Sequence, residues 1–270
     1  MTCPSRTVFF AVLGIAALGF DVTSRSAHAF DLSFPNFSDL SAWQLNGNSS
    51  QAGNQLRLVP AQARQVGSAF VKTPFVLTPD TSFSSSFQFQ IKNPGGSCCF
   101  GADGLMFALA PAATSLGIGG GGIGYEGIPA NSLGVEFDTF DNGSFDDFND
   151  NHIAVNTQGD LVGRLQLVPY PTLFISGNIF SVWIDYDSVA SLLDVRVSPS
   201  NVRPVSPTLS QALDLDALLK GQKTFVGFTA GTGGGNANFD VLNFALSTRE
   251  VPGPLPIAGA AAALAFSKKL

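Results

Sequence analysis

Residues 132–160 read SLGVEFDTFDNGSFDDFNDNHIAVNTQGD, and this stretch decides the fold and the chemistry of the chain. Its first residues alternate between apolar and polar side chains, which predicts a half-buried β-strand. Val135 and Phe137 fall on one face of that strand, and Glu136 and Asp138 fall on the other. Two neighbouring carboxylates on one face repel each other, so we expect a cation to lie between them.

The stretch is acidic and has no basic residue of its own, because no Lys or Arg occurs between Lys92 and Arg164. The positive charge must therefore come from elsewhere, and a bound metal ion would supply it. The alternative is an acidic loop in contact with solvent, as most acid runs are. We favour the metal, because a half-buried strand seldom carries two unpaired acids. The carboxylates are Glu136, Asp138, Asp141, Asp146, Asp147, Asp150 and Asp160.

The donor types in this stretch suit two kinds of metal. The side-chain oxygens of Asp138, Asn142 and Asp147, together with a loop carbonyl, suit a hard cation such as calcium. Adding Glu136 and the imidazole of His152 suits manganese or another transition metal.

Composition indicates a globular all-β chain. The chain has 270 residues, of which 45% are hydrophobic and only 13% charged, with 24 Phe and 29 Gly. That length is enough to bury a large core in one domain. The net charge of −6 and the lack of a basic patch exclude nucleic acid as the expected partner.

The amino-terminal residues predict a secretory signal peptide over residues 1–29. Arg6 precedes an apolar run over residues 8–20, and Ala27-His28-Ala29 matches a cleavage site. The alternative is an anchor helix, which needs about 20 apolar residues, more than this run provides.

Cys98 and Cys99 are the cysteines that remain after signal removal, since Cys3 leaves with the signal peptide. In an oxidising compartment they form a vicinal disulfide, pair with another chain or stay free. They lack the spacing of a zinc site or a redox motif.

The body of the chain has short alternating runs with turn signals about every ten residues, which is typical of a β-sandwich or jelly roll. In residues 82–91, SFSSSFQFQI, the side chains of Phe83, Phe87, Phe89 and Ile91 share one face. Residues 179–197 predict two strands. A short helix is predicted between Ser206 and Leu219.

Two glycine-rich loops and one isolated acid are candidates for ligand contact. Asp103 lies between two glycines ahead of an apolar strand, where it is either a turn former or a side chain aimed at a ligand. Residues 117–124 contain GxGxxG, but no strand-turn-helix unit surrounds the motif, so it does not predict nucleotide binding. A second glycine-rich loop occupies residues 233–238.

Across about residues 30–249 the chain resembles the legume-type (L-type) lectin family. The segments that carry the resemblance are GADGLMFALAP, GGGIGY, VEFDTFDN with NHIAVN, VWIDYD and VGFTAGTGGGNANFDVLNFAL. The resemblance implies a concanavalin-like jelly-roll sandwich with calcium and manganese bound. Calcium would be held by Asp138, the carbonyl of Phe140, Asn142 and Asp147, and manganese by Glu136, Asp138, Asp147 and His152. Asp146 competes with Asp147 for the ligand role.

The same resemblance implies a sugar site beside the calcium. Asp103, Asn142 and the backbone of Gly121 or Gly122 would bind sugar hydroxyls, and Gly233 and Gly234 would shape the rim. It also implies a cis peptide bond between Ala102 and Asp103. Phe140, or an aromatic near it, would stack on a sugar ring. The aromatic that many members carry in the binding loop is not clearly identified here, which leaves the sugar specificity open.

Residues 250–270 resemble a PEP-CTERM sorting signal, with Val-Pro-Gly-Pro at Val251–Pro254 in place of Val-Pro-Glu-Pro. An apolar run and Lys268-Lys269 follow. Such tails are processed by an exosortase. The resemblance implies an exported bacterial protein of the cell surface or extracellular matrix, with transient membrane association through the tail.

The sequence therefore predicts calcium- and manganese-dependent carbohydrate binding without catalysis, with a glycan or exopolysaccharide as partner. One alternative is a retaining glycoside hydrolase, since Glu136, Asp138 and Asp141 approximate an ExDxxE pattern of paired carboxylates. Asp141 is one methylene too short for it, and Asn142 and His152 have no place in that scheme. The other alternative is a surface or matrix protein that keeps the fold and ions but binds no sugar.

Overall fold

The computed structural model describes residues 30–97, 101–143 and 148–250. The predicted signal peptide lies outside these residues, as do residues 251–270 of the predicted tail. Cys98, Cys99 and the candidate ligands Asp146 and Asp147 lie outside them as well.

The described chain is built almost entirely from antiparallel strands. In chain order they are β1 (Asp31–Phe34), β2 (Trp43–Gly47), β3 (Ser50–Ala52), β4 (Gln55–Val59), β5 (Val66–Val71), β6 (Phe75–Val76), β7 (Thr81–Gly96), β8 (Gly104–Ala110), β9 (Leu133–Asp138), β10 (His152–Thr157), β11 (Gln166–Pro169), β12 (Ile179–Asp187), β13 (Leu192–Ser198), β14 (Leu209–Ala212), β15 (Lys223–Gly231) and β16 (Gly235–Glu250). Short 3₁₀ turns occupy Gly120–Gly122 and Phe174–Ser176, and one helix, α1, spans Leu215–Leu219.

The strands form two sheets that face each other. Sheet A has the order β14-β13-β12-β7-β16-β4-β3, and β1 also pairs with β16. Sheet B has the order β11-β10-β9-β8-β15-β5-β2, and β6 also pairs with β15. This is the two-layer all-β sandwich that the sequence predicted.

The core between the sheets is aromatic, and period-two alternation selects its members. Phe83, Phe87, Phe89 and Ile91 of β7 are all buried, which confirms the face predicted for that strand. The ring of Phe87 lies in the middle of this core. Its centroid is 6.1, 5.9 and 4.9 Å from the ring centroids of Phe107, Phe137 and Phe228. Since these three residues belong to sheet B, their contacts with Phe87 join the two layers.

A second, smaller core covers the outer side of sheet B. The segment after β8 folds over β8 and β9, where Tyr125 and Ile128 pack with Met106 and Leu161. Tyr125 is fully buried, and its hydroxyl lies 3.2 Å from the Ser132 Oγ. This cover holds the glycine-rich segment against the strands that carry the acidic residues.

The helix predicted between Ser206 and Leu219 is wrong over its first half. Residues Leu209–Ala212 instead form β14, which pairs with β13 and extends the edge of sheet A. Only Leu215–Leu219 are helical, and Asp214 caps this turn by accepting a hydrogen bond from the Ala217 N–H at 3.0 Å. None of the helices in the described ranges is long and apolar enough to cross a membrane.

We expect Phe87→Ala to lower the free energy of unfolding by about 3–5 kcal/mol, because it removes a ring that contacts three aromatic side chains of the opposite sheet. Chemical denaturation followed by Trp fluorescence measures this change. Val189→Ala is the control, since Val189 is exposed and its loss should cost less than about 0.5 kcal/mol. Equal effects of the two variants would contradict the central place of Phe87.

Candidate functional site

Three neighbouring strands of sheet B bring the chemically important residues to one end of the sandwich. β9 pairs with β8 on one side and with β10 on the other, and all three are antiparallel. Asp103 directly precedes β8, Asp138 ends β9, and His152 begins β10. Because the end of β9 lies beside the starts of its two neighbours, side chains from distant parts of the chain meet there.

The alternation predicted for β9 is present in the structure. Val135 and Phe137 belong to the core between the sheets. Glu136 and Asp138 point to the other face, yet they are 2% and 0% exposed. Two carboxylates are thus buried side by side, an arrangement that a neighbouring cation stabilises.

Glu136, Asp138 and His152 form what we call the acidic cluster. Each offers one ligand atom, and these atoms all lie within 4.8 Å of one another. Two ligands of one ion, each about 2.0–2.6 Å from it, cannot be much more than about 5 Å apart. The spacing therefore fits a single divalent ion bound by all three residues.

The surroundings of the acidic cluster orient its donors. The Asn156 Nδ2 donates to the Glu136 Oε2 at 2.7 Å, and the Phe140 N–H donates to the Asp138 Oδ1 at 2.6 Å. Hydrogen bonds of this kind fix the orientation of metal ligands. Their presence supports the fit of the cluster to a metal.

His152 is suited to metal binding by its protonation state. Burial lowers the pKa of its imidazole to about 4, although the Asn149 carbonyl acts in the opposite direction. The ring is therefore neutral at pH 7, and neutral imidazole is the form that ligates metals. The Nδ1 lies 3.3 Å from the Asn149 carbonyl oxygen, so the tautomer protonated at Nδ1 presents Nε2 to the cluster.

Asp103 lies beside the acidic cluster, and with Gly121, Asn142 and Gly233 it forms what we call the Asp103 cradle. The peptide bond between Ala102 and Asp103 is cis, as the resemblance implied. The Asp103 N–H donates to the Gly231 carbonyl at 3.0 Å, and its carbonyl accepts from the Thr139 N–H and Oγ1, both at 2.9 Å. These bonds attach Asp103 to both β15 and the chain just after β9.

The Asp103 carboxyl contacts the other candidate sugar-binding residues. Burial raises its pKa to about 6, while hydrogen bonds from the Asn142 side chain and the Gly233 backbone lower it. Its Oδ2 is buried and has no hydrogen-bond partner among the residues that the structure describes. A buried acceptor of this kind calls for a ligand or solvent partner.

The glycine-rich loop completes the cradle. A Cβ on Gly121 would lie only 2.9 Å from the Asn142 Oδ1, so the Gly121 backbone directly approaches the Asn142 side chain. A Cβ on Gly122 would instead clash with Ile118, and the Gly122 N–H already donates to the Gly119 carbonyl at 3.3 Å. The carbonyl groups of Gly233 and Gly234 accept hydrogen bonds from the N–H groups of Arg64 and Ser97, at 2.9 and 3.2 Å.

The structure therefore brings together Asp103, Gly121, Asn142 and Gly233, with Gly234 exposed at the rim. Phe140 is half-buried in the segment between the acidic cluster and Asn142. Glu136, Asp138 and His152 form the cluster next to it.

Sequence reasoning missed two supporting residues. Asn156 lies on the same face of β10 as His152. The alternation of side chains along a strand could therefore have predicted that Asn156 contacts the acidic cluster, where it binds Glu136. Thr139 gave no such signal, because its role is to hold the Asp103 carbonyl across a sequence separation of 36 residues.

A two-sheet jelly roll with glycine-rich loops and an acidic cluster at one end defines a concanavalin-like lectin domain. The legume lectin domain family matches residues 29–257, and the chain belongs to this family.

The chain is 37% identical over 210 residues to the L-type lectin-domain containing receptor kinase VIII.1 of Arabidopsis thaliana. The match covers 76% of this chain and 26% of that relative, so the chain spans about a quarter of the length of this receptor kinase.

Solved plant lectins have the same fold. The lectin from Bauhinia forficata in complex with GalNAc superposes with a TM-score of 0.71 at 23% identity, over 83% of this chain and 100% of that one. The metal-free form of lectin I-B4 from Griffonia simplicifolia gives a TM-score of 0.70 at 25% identity, over 82% and 99%.

We expect Asp138→Asn to weaken divalent-metal binding strongly, because it removes a charged ligand from the acidic cluster. Dialysis against Ca²⁺ and Mn²⁺ followed by elemental analysis measures the bound ions. Metal at 100 times its Kd should also stabilise the native protein by about 2.7 kcal/mol, and the variant should lose this gain. Asp141→Asn is the matched control, since Asp141 is exposed on the same loop. Wild-type metal content in Asp138→Asn would contradict the assignment.

Proposed function

We propose that this domain binds carbohydrate through Asp103, Asn142 and the backbone of Gly121, with Gly233 and Gly234 at the rim, and that it catalyses no reaction. The observation that carries the proposal is that the Asn142 side chain and the Gly233 backbone both donate hydrogen bonds to the Asp103 carboxyl, beside the acidic cluster. Membership of the legume lectin domain family supports the same function.

The donors and acceptors of the cradle suit adjacent sugar hydroxyls. The Asp103 carboxylate accepts hydrogen bonds, and the Asn142 amide both donates and accepts them. Gly121 lets the main chain approach the ligand, and its position against Asn142 favours it over Gly122 for this role. The half-buried ring of Phe140 offers an apolar face for a sugar ring.

We propose that calcium and manganese, or another transition metal, order this site. Asp138, the Phe140 carbonyl, Asn142 and Asp147 would hold the calcium. Glu136, Asp138, Asp147 and His152 would hold the second ion. The ions would neutralise the buried carboxylates and fix the segment after β9, which carries Asn142. The acidic cluster supports the second set, with Asp147 outside the described residues.

We further propose that the domain occupies residues 30–249 of an exported bacterial protein. Residues 1–29 would be its signal peptide, and residues 250–270 would be a PEP-CTERM tail processed by an exosortase-like enzyme. The tail would give transient membrane association before cleavage, and the cell surface or extracellular matrix would be the destination. An exopolysaccharide at that surface is then the expected glycan. The sequence pattern at each end of the chain supports this organisation.

The geometry does not favour a retaining glycoside hydrolase. Asp141, the third acid of the approximate ExDxxE pattern, is exposed and accepts a hydrogen bond from the Gly143 N–H at 2.6 Å. Glu136 is buried and oriented by Asn156 as part of the acidic cluster. The burial of Glu136 within the acidic cluster and the exposure of Asp141 therefore support metal binding over glycoside hydrolysis.

We expect a glycan array to show calcium-dependent binding that a chelator abolishes. Asp103→Ala should weaken that binding at least about tenfold, because it removes a charged hydrogen-bond acceptor. It should retain wild-type metal content, because Asp103 is outside both proposed ligand sets.

Asp80→Ala is the control for this experiment, since Asp80 is an exposed acid remote from the site. Full sugar binding by Asp103→Ala would contradict the role of Asp103. A protein that binds metal but no glycan would instead be a surface or matrix protein. Release of sugar from polysaccharide that disappears in Glu136→Gln would identify a hydrolase.

A further inference from the structure

The outward face of sheet A carries a groove of about 480 Å³, which we call the sheet A groove. Its floor is made of small side chains, Ser84 and Ser86 of β7 and Ala245 and Ser247 of β16. Trp183 of β12 lies beside this floor. The groove exists because small residues on two central strands leave the sheet surface lower than its surroundings.

Strand register shows how far the groove extends across the sheet. Ser33, Ala245, Ser86 and Trp183 are direct neighbours on four adjacent strands. At about 4.8 Å between strands, this row spans about 14 Å. The row is longer than a single small polar group would fill, so the groove suits an extended ligand.

A second depression of about 370 Å³ continues the groove in the direction of the strands. It shares Ser84 and Ser247 with the first and reaches Asp187 and Arg249. The two depressions together form an open trough rather than an enclosed pocket, and an open trough accommodates a chain that enters and leaves at both ends.

Trp183 is the distinctive side chain of this surface. The other aromatic residues in the described strands of sheet A pack into or against the core. The indole of Trp183 instead points outward on a strand whose neighbouring side chains, Phe180, Val182 and Ile184, are fully buried. An aromatic ring kept at the surface offers a flat apolar face to a ligand, with an N–H at its edge.

The charged residues that line the two depressions are of both signs, with Asp31, Asp185 and Asp187 on the acidic side and Arg203 and Arg249 on the basic side. The Asp185 Oδ2 accepts from Arg196 at 3.1 Å and from Arg203 at 2.6 Å, and the Asp185 Oδ1 accepts from the Ser84 hydroxyl at 2.6 Å. The groove therefore has no concentrated charge to attract an ionic ligand. It does offer carboxylate, guanidinium and hydroxyl groups to a partner that is rich in hydroxyls.

We propose that the sheet A groove is a second carbohydrate-binding surface, which takes a neutral polysaccharide chain and requires no metal. Trp183 stacks on the apolar face of a sugar ring, and Asp185, Arg203 and the serine floor bind its hydroxyls. A second copy of the protein fits less well, because stable interfaces between copies have an apolar centre. Here the outward side chains around Trp183 are Ser, Ala, Asp and Arg.

The groove and the Asp103 cradle lie on different sheets, so one sugar cannot occupy both. A polysaccharide with many repeats can reach both, and so can two separate chains. The protein would then hold polymer chains together, with an apparent affinity above that of either site alone.

The test uses soluble neutral polysaccharides, a galactomannan, a xyloglucan and a mixed-linkage glucan, in affinity electrophoresis with EDTA present throughout. EDTA strips the metal that the proposed Asp103 site needs, so any retardation that remains comes from metal-independent binding, which the groove variants then locate. We expect the wild type to bind at least one of these polymers in EDTA. Trp183→Ala should weaken this binding at least about tenfold, and Trp183→Phe should retain most of it. Polygalacturonate is the acidic polymer control.

Ile179→Ala is the matched control variant, because Ile179 is exposed on the same strand but outside the groove. Ala245→Gln is a second test variant, which fills the floor and leaves Trp183 in place. Its loss of binding would support the proposal even if Trp183→Ala failed to fold.

Absence of EDTA-resistant binding in the wild type would overturn the proposal, as would unchanged binding by both groove variants. A wild-type dimer that Trp183→Ala converts to a monomer in sedimentation would overturn it as well, and would identify the face as an interface between copies.

Discussion

The structure depends on one strand, β9, which has an apolar face and an acidic face. Its odd-numbered residues Val135 and Phe137 enter an apolar core, and its even-numbered residues Glu136 and Asp138 place carboxyl groups on the other face. Both faces are nevertheless buried, because the segment with Tyr125 covers the outer side of sheet B. Burying a carboxylate without a partner lowers the free energy of unfolding. The groups that pack against the acidic face of β9 must therefore compensate for its carboxylates.

The protein handles buried acid in two different ways. On sheet A, the fully buried Asp240 receives two hydrogen bonds from Arg57, both 2.8 Å long, and Lys92 lies 3.2 Å away. This carboxylate is neutralised by side chains from neighbouring strands. On sheet B, the acidic cluster combines two acids with a neutral imidazole, which is the composition of a metal site. Asp240 therefore serves the structure of sheet A, whereas the composition of the acidic cluster supports a ligand-binding role in sheet B.

Much of the fold was readable from the sequence, because period-two alternation is a local signal. It predicted the buried face of β7 and the two faces of β9. It failed between Ser206 and Leu219, where the open edge of β13 recruits Leu209–Ala212 as a strand and overrides local helical preference.

The candidate site was predictable only in part. The donor types in and after β9 predicted a metal, and resemblance to a family gave Asp103 and the glycines their expected role in sugar binding. The anchoring of Asp103 by Thr139, and the choice of Gly121 over Gly122 next to Asn142, depend on contacts between distant loops. The sheet A groove could not be predicted from the sequence for the same reason. Its serine floor and Trp183 come from strands that are neighbours only in the folded sheet.

The length of β16, the last strand in the described residues, has a mechanical consequence. β16 pairs with β7 over most of its length on one side, and with β4 and then β1 on the other. Force applied at its carboxyl end would pull it lengthwise between these neighbours. Its ladder bonds lie across the strand direction, so they would bear the load together rather than open one after another. The domain is therefore built to resist tension if it is tethered by the chain that follows residue 250.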